Sequence, residues 1–150
     1  MKTLVVYDSV YGNTRTIAQA IGGAIPGEVE VLHVSQVDAG RLATVDLLII
    51  GSPTHGSLPT EAVQRLVEKI GAPVREGAEL ATFDTRLSWR FLRRWGFAAP
   101  KMADRLKEKG WTLTGAPEGF IVKGLKKGPL KRGEAERAAA WAKEIVGSKT

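Results

Sequence analysis

The chain has 150 residues, 43% of them hydrophobic and 25% charged, with no cysteine and a net charge of +6. That is enough length and apolar content to bury a core, so neither a disordered chain nor a small disulfide scaffold is expected. The lack of cysteine excludes thiol catalysis and cysteine-based zinc sites, and two histidines give little support to a histidine metal site.

Short apolar runs alternate with longer helical patterns, the signature of βαβ units around a mainly parallel sheet. The first strand is read at Lys2 to Tyr7, a continuous β-branched run like a strand buried on both faces. It meets a charge at Asp8, so neither a secretory leader nor a membrane span is expected, and the expected location is cytoplasmic. A helix is predicted from Thr14 to about Ile25, with Ile17, Ala18, Ile21 and Ile25 on one face and Pro26-Gly27 as its stop.

The second strand is placed at Val29 to Val34, followed by a connection around Val37 to Thr44. Val45 to Gly51 then forms the most buried-looking strand. Thr60 fits an N-cap, with Glu61 in the first turn and Val63, Leu66, Val67 and Ile70 as the apolar stripe. A fourth strand at Glu79 to Asp84 and a helix at about Lys101 to Lys109 come next. The last strand comes in two halves, Trp111 to Thr114 and Gly119 to Val122, before a closing helix from about Gly133 to Val146. Trp111 and Trp141 have core-like spacing, and His33 is read as a partly exposed structural residue. No linker or repeat interrupts the pattern. The expectation is one domain over residues 1–150, a three-layer α/β fold with a doubly wound five-stranded parallel sheet ordered 2-1-3-4-5.

In such sheets ligands bind beyond the carboxyl ends of the strands, where the strand order reverses. The loop after the first strand, Asp8 to Thr14, offers hydroxyls at Ser9, Tyr11 and Thr14, a turn-permissive Gly12-Asn13 and a helix N-terminus. This is phosphate chemistry without a lysine or arginine, although a plain turn and N-cap would read the same way. The loop after the third strand, Gly51 to Pro59, is rich in Gly and Pro and leaves its backbone open to a ligand.

Two of these motifs, Ser9 to Thr14 (SVYGNT) and Gly51 to Gly56 (GSPTHG), resemble the phosphate loop and the first ring-binding loop of the flavodoxin family. The resemblance spans essentially the whole chain and implies a flavodoxin-like fold binding FMN. It implies that Ser9, Val10, Tyr11, Gly12, Asn13 and Thr14 wrap the FMN phosphate. Pro53, Thr54, His55 and Gly56 would then line one side of the ring, with Gly56 in the peptide facing flavin N5. Asp84, Thr85, Arg86 and Leu87 would edge the pyrimidine and the second ring face.

The chain departs from the family pattern in three places. Tyr11 stands where a short hydroxyl residue is usual, and His55 stands at the inner flanking position, with Trp89 a candidate for the outer one. The third loop reads FDTRLSW in place of a Gly-rich acidic loop. The final strand lacks the long insertion of long-chain members, so the resemblance is to the short-chain type.

The charge is unevenly distributed. Residues 1 to 85 carry −4, residues 86 to 109 carry +6 and residues 110 to 150 carry +4. If residues 86 to 95 are helical, Arg86, Arg90, Arg93 and Arg94 share one arc, opposite Leu87, Phe91, Leu92 and Trp95. Such a face is either a solvated surface or a docking site for an acidic redox partner; an anionic membrane surface is the lesser alternative. Nucleic acid is not expected, because no recognition motif is present. Arg86 and a protonated His55 near the ring would make the flavin potential less negative than in acidic flavodoxins.

The leading expectation is an FMN-dependent electron-transfer protein that shuttles single electrons and has no catalytic residues of its own. The alternatives are a small FMN-dependent NAD(P)H or quinone oxidoreductase, a protoporphyrinogen-oxidase-like enzyme, or a cofactor-free interaction module of the same fold.

Overall fold

The computed structural model describes residues 1–88, 96–123 and 128–147. Six parallel strands are present: β1 (Lys2–Tyr7), β2 (Glu28–His33), β3 (Leu47–Pro53), β4 (Glu79–Leu87), β5 (Thr112–Leu113) and β6 (Glu118–Val122). Their order is β2-β1-β3-β4-β5, and β6 continues the same edge by pairing with β4. This is the expected 2-1-3-4-5 sheet, with its last position filled in two pieces. The helices are α1 (Asn13–Ala24), α2 (Ala39–Leu42), α3 (Glu61–Lys69), α4 (Ala98–Glu108) and α5 (Glu134–Gly147).

Alternation along the central strands builds two cores. Leu4, Val6, Leu48 and Ile50 face Val63 and Val67 of α3 and Met102 and Leu106 of α4, and Trp111 closes this layer. Val5, Leu47, Ile49 and Phe83 face Ile17 and Ile21 of α1 and Trp141 and Ile145 of α5. All seven residues of β3 are buried. Each large side chain taken from water here contributes about 1.5–3 kcal/mol before the entropy of ordering is subtracted. Among the described residues no helix is long and apolar enough to cross a membrane.

Two element boundaries differ from expectation in ways that shape the site. β4 continues past Asp84 through Thr85-Arg86-Leu87, because β6 supplies a parallel partner for those polar residues, with Thr85 opposite Phe120 and Arg86 opposite Ile121. α4 begins at Ala98, three residues before the predicted Lys101. Pro100 lies in its first turn, where a missing N–H leaves no helix bond unmade. Residues Trp89, Arg90, Phe91, Leu92, Arg93, Arg94 and Trp95, and with them the predicted amphipathic arc, lie outside the described residues.

Candidate functional site

The order reverses between β1 and β3, and the loops after β1, β3 and β4 meet beyond their carboxyl ends. They enclose a cleft of about 740 Å³, within the range of cofactor sites. Val10, Tyr11, Asn13 and Thr14 line it from the first loop, Pro53, Thr54, His55 and Gly56 from the second, and Thr85, Arg86 and Leu87 from β4. Val10, Tyr11 and Leu58 are exposed large hydrophobics, 52%, 44% and 45% accessible, and all three border this cleft. Ser9, Gly12 and Asp84 are not in its lining.

In the first loop Gly12 caps α1 in the left-handed region, φ 92°, with no side chain of its own, and the Ser9 hydroxyl accepts the Arg15 N–H of the first turn at 3.4 Å. The Ser9 hydroxyl accepts the Gly12 N–H at 3.0 Å, and the Asp8 carboxylate accepts the Ser9 N–H at 2.8 Å, so Ser9 shapes the loop from within. The first turn of α1 carries no acidic residue. Asn13 and Thr14 of this turn line the cleft, so the positive end of the helix dipole favours an anion there. Asn13 is fixed at the cleft lining by donating Nδ2–H to the Gly128 carbonyl at 2.8 Å.

Thr14 and Thr85 share a hydrogen bond between their hydroxyls at 2.8 Å, with both residues buried. Two hydroxyls carry two protons and one bridges the pair, so one O–H remains to offer a ligand oxygen.

In the second loop the Thr54 N–H donates to the Thr85 carbonyl at 2.9 Å, tying the β3 end to β4. His55 and Leu58 exchange backbone hydrogen bonds at 2.9 and 3.0 Å around Gly56 and Ser57. Both central residues have positive φ, 54° and 70°, as in a tight type I′ turn. Ser57 is the one non-glycine residue at positive φ among the described residues, and the Lys101 ammonium holds its carbonyl at 2.6 Å. His55 is half-buried at the cleft wall.

In the third segment Asp84 and Arg86 pair with each other. Asp84 has no exposed surface and turns into the protein, because it accepts two hydrogen bonds from Arg86, from Nε and Nη2, each at 2.7 Å. It also accepts the Ala99 N–H at the start of α4, at 2.9 Å. Burial pushes the Asp84 pKa up, and the Arg86 guanidinium, Ala99 N–H and Thr54 hydroxyl oppose that shift. The Arg86 charge is therefore compensated in place, and the argument from an uncompensated cation beside the ring loses its basis. Arg86 still lines the cleft, with its guanidinium 3.6 Å from the Phe97 ring centroid.

Sequence reasoning missed Ser57, Leu58, Gly96, Phe97, Lys101 and Val122 as lining residues. Ser57 and Leu58 followed directly from the GSPTHG motif. Phe97 and Lys101 were hidden because α4 starts earlier than Pro100 suggested. Among the described residues no group of histidines and carboxylates is arranged to hold a metal ion.

A reversed strand order, with a helix N-terminus and a largely apolar cleft at one sheet edge, defines a doubly wound α/β protein with a ligand-sized site at its switch point. The flavodoxin domain family model matches residues 4–116, and the chain belongs to that family. No curated protein sequence matches it. Among solved structures, a flavodoxin from the domain Archaea aligns at 21% identity with TM-score 0.78, covering 99% of this chain and 98% of that one. Oxidised flavodoxin 1 from Bacillus cereus aligns at 20% identity with TM-score 0.79, covering 98% of each. A short-chain flavodoxin associated with a non-canonical PDU bacterial microcompartment aligns at 16% identity with TM-score 0.78 over 100% of both chains. At these identities the structural likeness carries the fold, and membership rests on the family match. The protein is thus an electron-transfer flavoprotein that works with redox partners, and nothing on the described surface favours the enzyme or cofactor-free alternatives.

Proposed function

We propose that the flavin is FMN and that the protein passes single electrons to an acidic partner. The observation that carries the cofactor is the N-terminus of α1 beside the Thr14–Thr85 hydroxyl pair, at one end of an otherwise apolar cleft. A terminal phosphate suits those donors, whereas a flavin without one leaves them unmatched. Val10, Tyr11, Asn13 and Thr14 would hold the phosphate and ribityl chain, with Ser9 and Gly12 shaping the loop behind them. Thr54, His55, Gly56 and Leu58 would flank the ring on one side and Leu87 and Phe97 on the other. When bound, FMN supplies one-electron chemistry that no side chain here provides. The protein orients the ring, excludes water from it and presents backbone groups of the Gly56 turn at its edge.

Fluorescence titration of the purified protein is expected to quench FMN strongly and riboflavin weakly. Equal affinity for the two would overturn the phosphate assignment, and binding of neither would overturn the cofactor.

The partner reading rests on charge. Arg86 is paired internally, so it contributes no net charge to docking. Arg90, Arg93 and Arg94 remain candidates by sequence, and a second basic strip flanks the cleft. Val122, which lines the cleft, pairs antiparallel with Leu130. Strand alternation puts the exposed Lys123 and Lys131 on the opposite, outward face. Electron-transfer rates that fall steeply with ionic strength support an acidic partner; salt-independent rates refute it.

A further inference from the structure

The buried carboxylate of Asp84 is the least expected group near the cleft. An ion pair with no exposed surface on one side does not stabilise a fold merely by existing, since desolvation offsets much of the attraction. What this pair does is join three elements. Asp84 and Arg86 lie on β4, and the Asp84 carboxylate also accepts the Ala99 N–H at the start of α4. The next N–H along, that of Ala98, goes to the Thr54 hydroxyl at 3.0 Å. Pro100 has none to give, so the positive end of α4 is closed by the β3 loop and a carboxylate from β4.

Arg86 fills the space in front. Its guanidinium lies against the Phe97 ring on one side and the Gly119 backbone on the other, where a Cβ would collide with it. Phe97 is held in the cleft wall by a planar cation that is itself fixed by two bonds to Asp84.

We propose that Arg86 is a positioning residue: it holds Phe97 in the cleft wall and keeps Asp84 ionised, so that an electron enters the flavin without a proton being taken up at Asp84. The inference rests on the flavin assignment of this cleft. The electron comes from the redox partner, and with the guanidinium in place both the carboxylate and its counter-charge persist unchanged through the transfer. Without the guanidinium, a buried carboxylate would face a newly negative neighbour, and a single solvent proton would bind an Asp84 oxygen when the flavin accepts its first electron.

The other charged or titratable groups on the elements packed around Asp84 are held elsewhere. Lys101 of α4 bonds the Ser57 carbonyl, and Glu118 of β6 pairs with Arg137 at 3.0 Å. His55 sits in the β3 loop. Arg86 is the charged group acting on Asp84.

The test uses the flavin-loaded protein and infrared difference spectra recorded on reduction, with isotope-edited Asp carboxyls. The wild type is expected to show no protonated carboxyl band. Arg86→Met is expected to gain one that disappears in Arg86→Met/Asp84→Asn, and its potential relative to wild type should shift with pH. Arg86→Lys keeps a cation but not the fork or the flat stacking face. It is expected to keep Asp84 ionised while binding flavin about tenfold more weakly, the size of one lost positioning contact.

An Arg86→Met protein without the band overturns the inference. If Arg86→Met does not fold, Arg86→Lys decides: undiminished flavin affinity overturns the inference and the tenfold loss supports it. A pH titration of the Asp84 carboxyl in flavin-free protein separates the two layers of the argument. Failure of the wild type to bind any flavin refutes the cofactor, whereas an Asp84 that titrates no higher in flavin-free Arg86→Met than in flavin-free wild type refutes the role of Arg86.

Discussion

Replacing Thr14 or Thr85 with valine should be costly one at a time and nearly harmless together. Their hydroxyls lie 2.8 Å apart across 71 residues of sequence, and the residues are 1% and 4% accessible. Removing either hydroxyl leaves the other, nearly buried at the floor of the cleft, without its partner, a penalty of about 1–3 kcal/mol. Taking 2 kcal/mol as the centre, a domain of this size should lose about 4–8 °C in Tm for either single change. The double variant places two methyl groups where two hydroxyls met, leaving no unsatisfied donor, so its Tm should return to within a few degrees of wild type. The assay is urea unfolding of the flavin-free proteins, read as a double-mutant cycle with an expected coupling of about 3–4 kcal/mol. Additive losses would refute the bond. A ligand readout follows from the same proton count, since the double variant leaves no hydroxyl proton of the pair to face a phosphate oxygen. That variant should weaken FMN and leave riboflavin unchanged.

Thr3 makes the opposite case: it is 1% accessible and its Oγ1 has no hydrogen-bond partner, so Thr3→Val should raise the urea midpoint, by about 1 kcal/mol in stability. Gly51→Ala would drive a methyl group into the Phe83 ring, which packs edge-on against Phe120 and Trp141; a loss of about 1–3 kcal/mol is expected by thermal unfolding. Glu134 is held below its usual value of 4.5, chiefly by hydrogen bonds from Arg137, so its contribution is complete above that pH and is lost as acid carries the solution through its folded pKa. In acid titrations of stability, Glu134→Gln should flatten that part of the slope. Asp84 acts with the opposite sign: its raised pKa makes the folded protein the better proton binder above pH 3.8, so its contribution grows as pH falls through that window.

The central sheet was legible because β1 and β3 are buried on both faces and read as unbroken apolar runs. Thr60 was legible as an N-cap for the same local reason, and its side chain does accept the Val63 N–H. The end of β4 was not. Thr85 and Arg86 are polar, and only a distant partner, β6, makes them strand. The site divides along the same line. The first two loops carry their chemistry in contiguous motifs, whereas the wall opposite is assembled from Arg86, Phe97 and Gly119, whose relation exists only after the chain has folded. The sign of the Arg86 contribution was unreadable for that reason: its counter-charge lies two residues away, and strand geometry alone does not say that the two side chains meet.

The split of the last sheet position into β5 and β6 has a consequence for self-association. An uninterrupted outer strand offers a row of unpaired backbone groups on which a second chain can dock and propagate. Here the ladder halts after Thr114, passes Gly115 at φ 70° and Pro117, which has no N–H, and resumes at Glu118. A strand approaching from solvent meets the two-residue β5 and then a β6 whose edge is already engaged, with the Ile121 carbonyl taken by the Lys131 N–H and the Ile121 N–H by the Glu134 carboxylate. The broken rim acts as a guard against aggregation, and filling it with a regular β-branched run should make the protein assemble edge to edge.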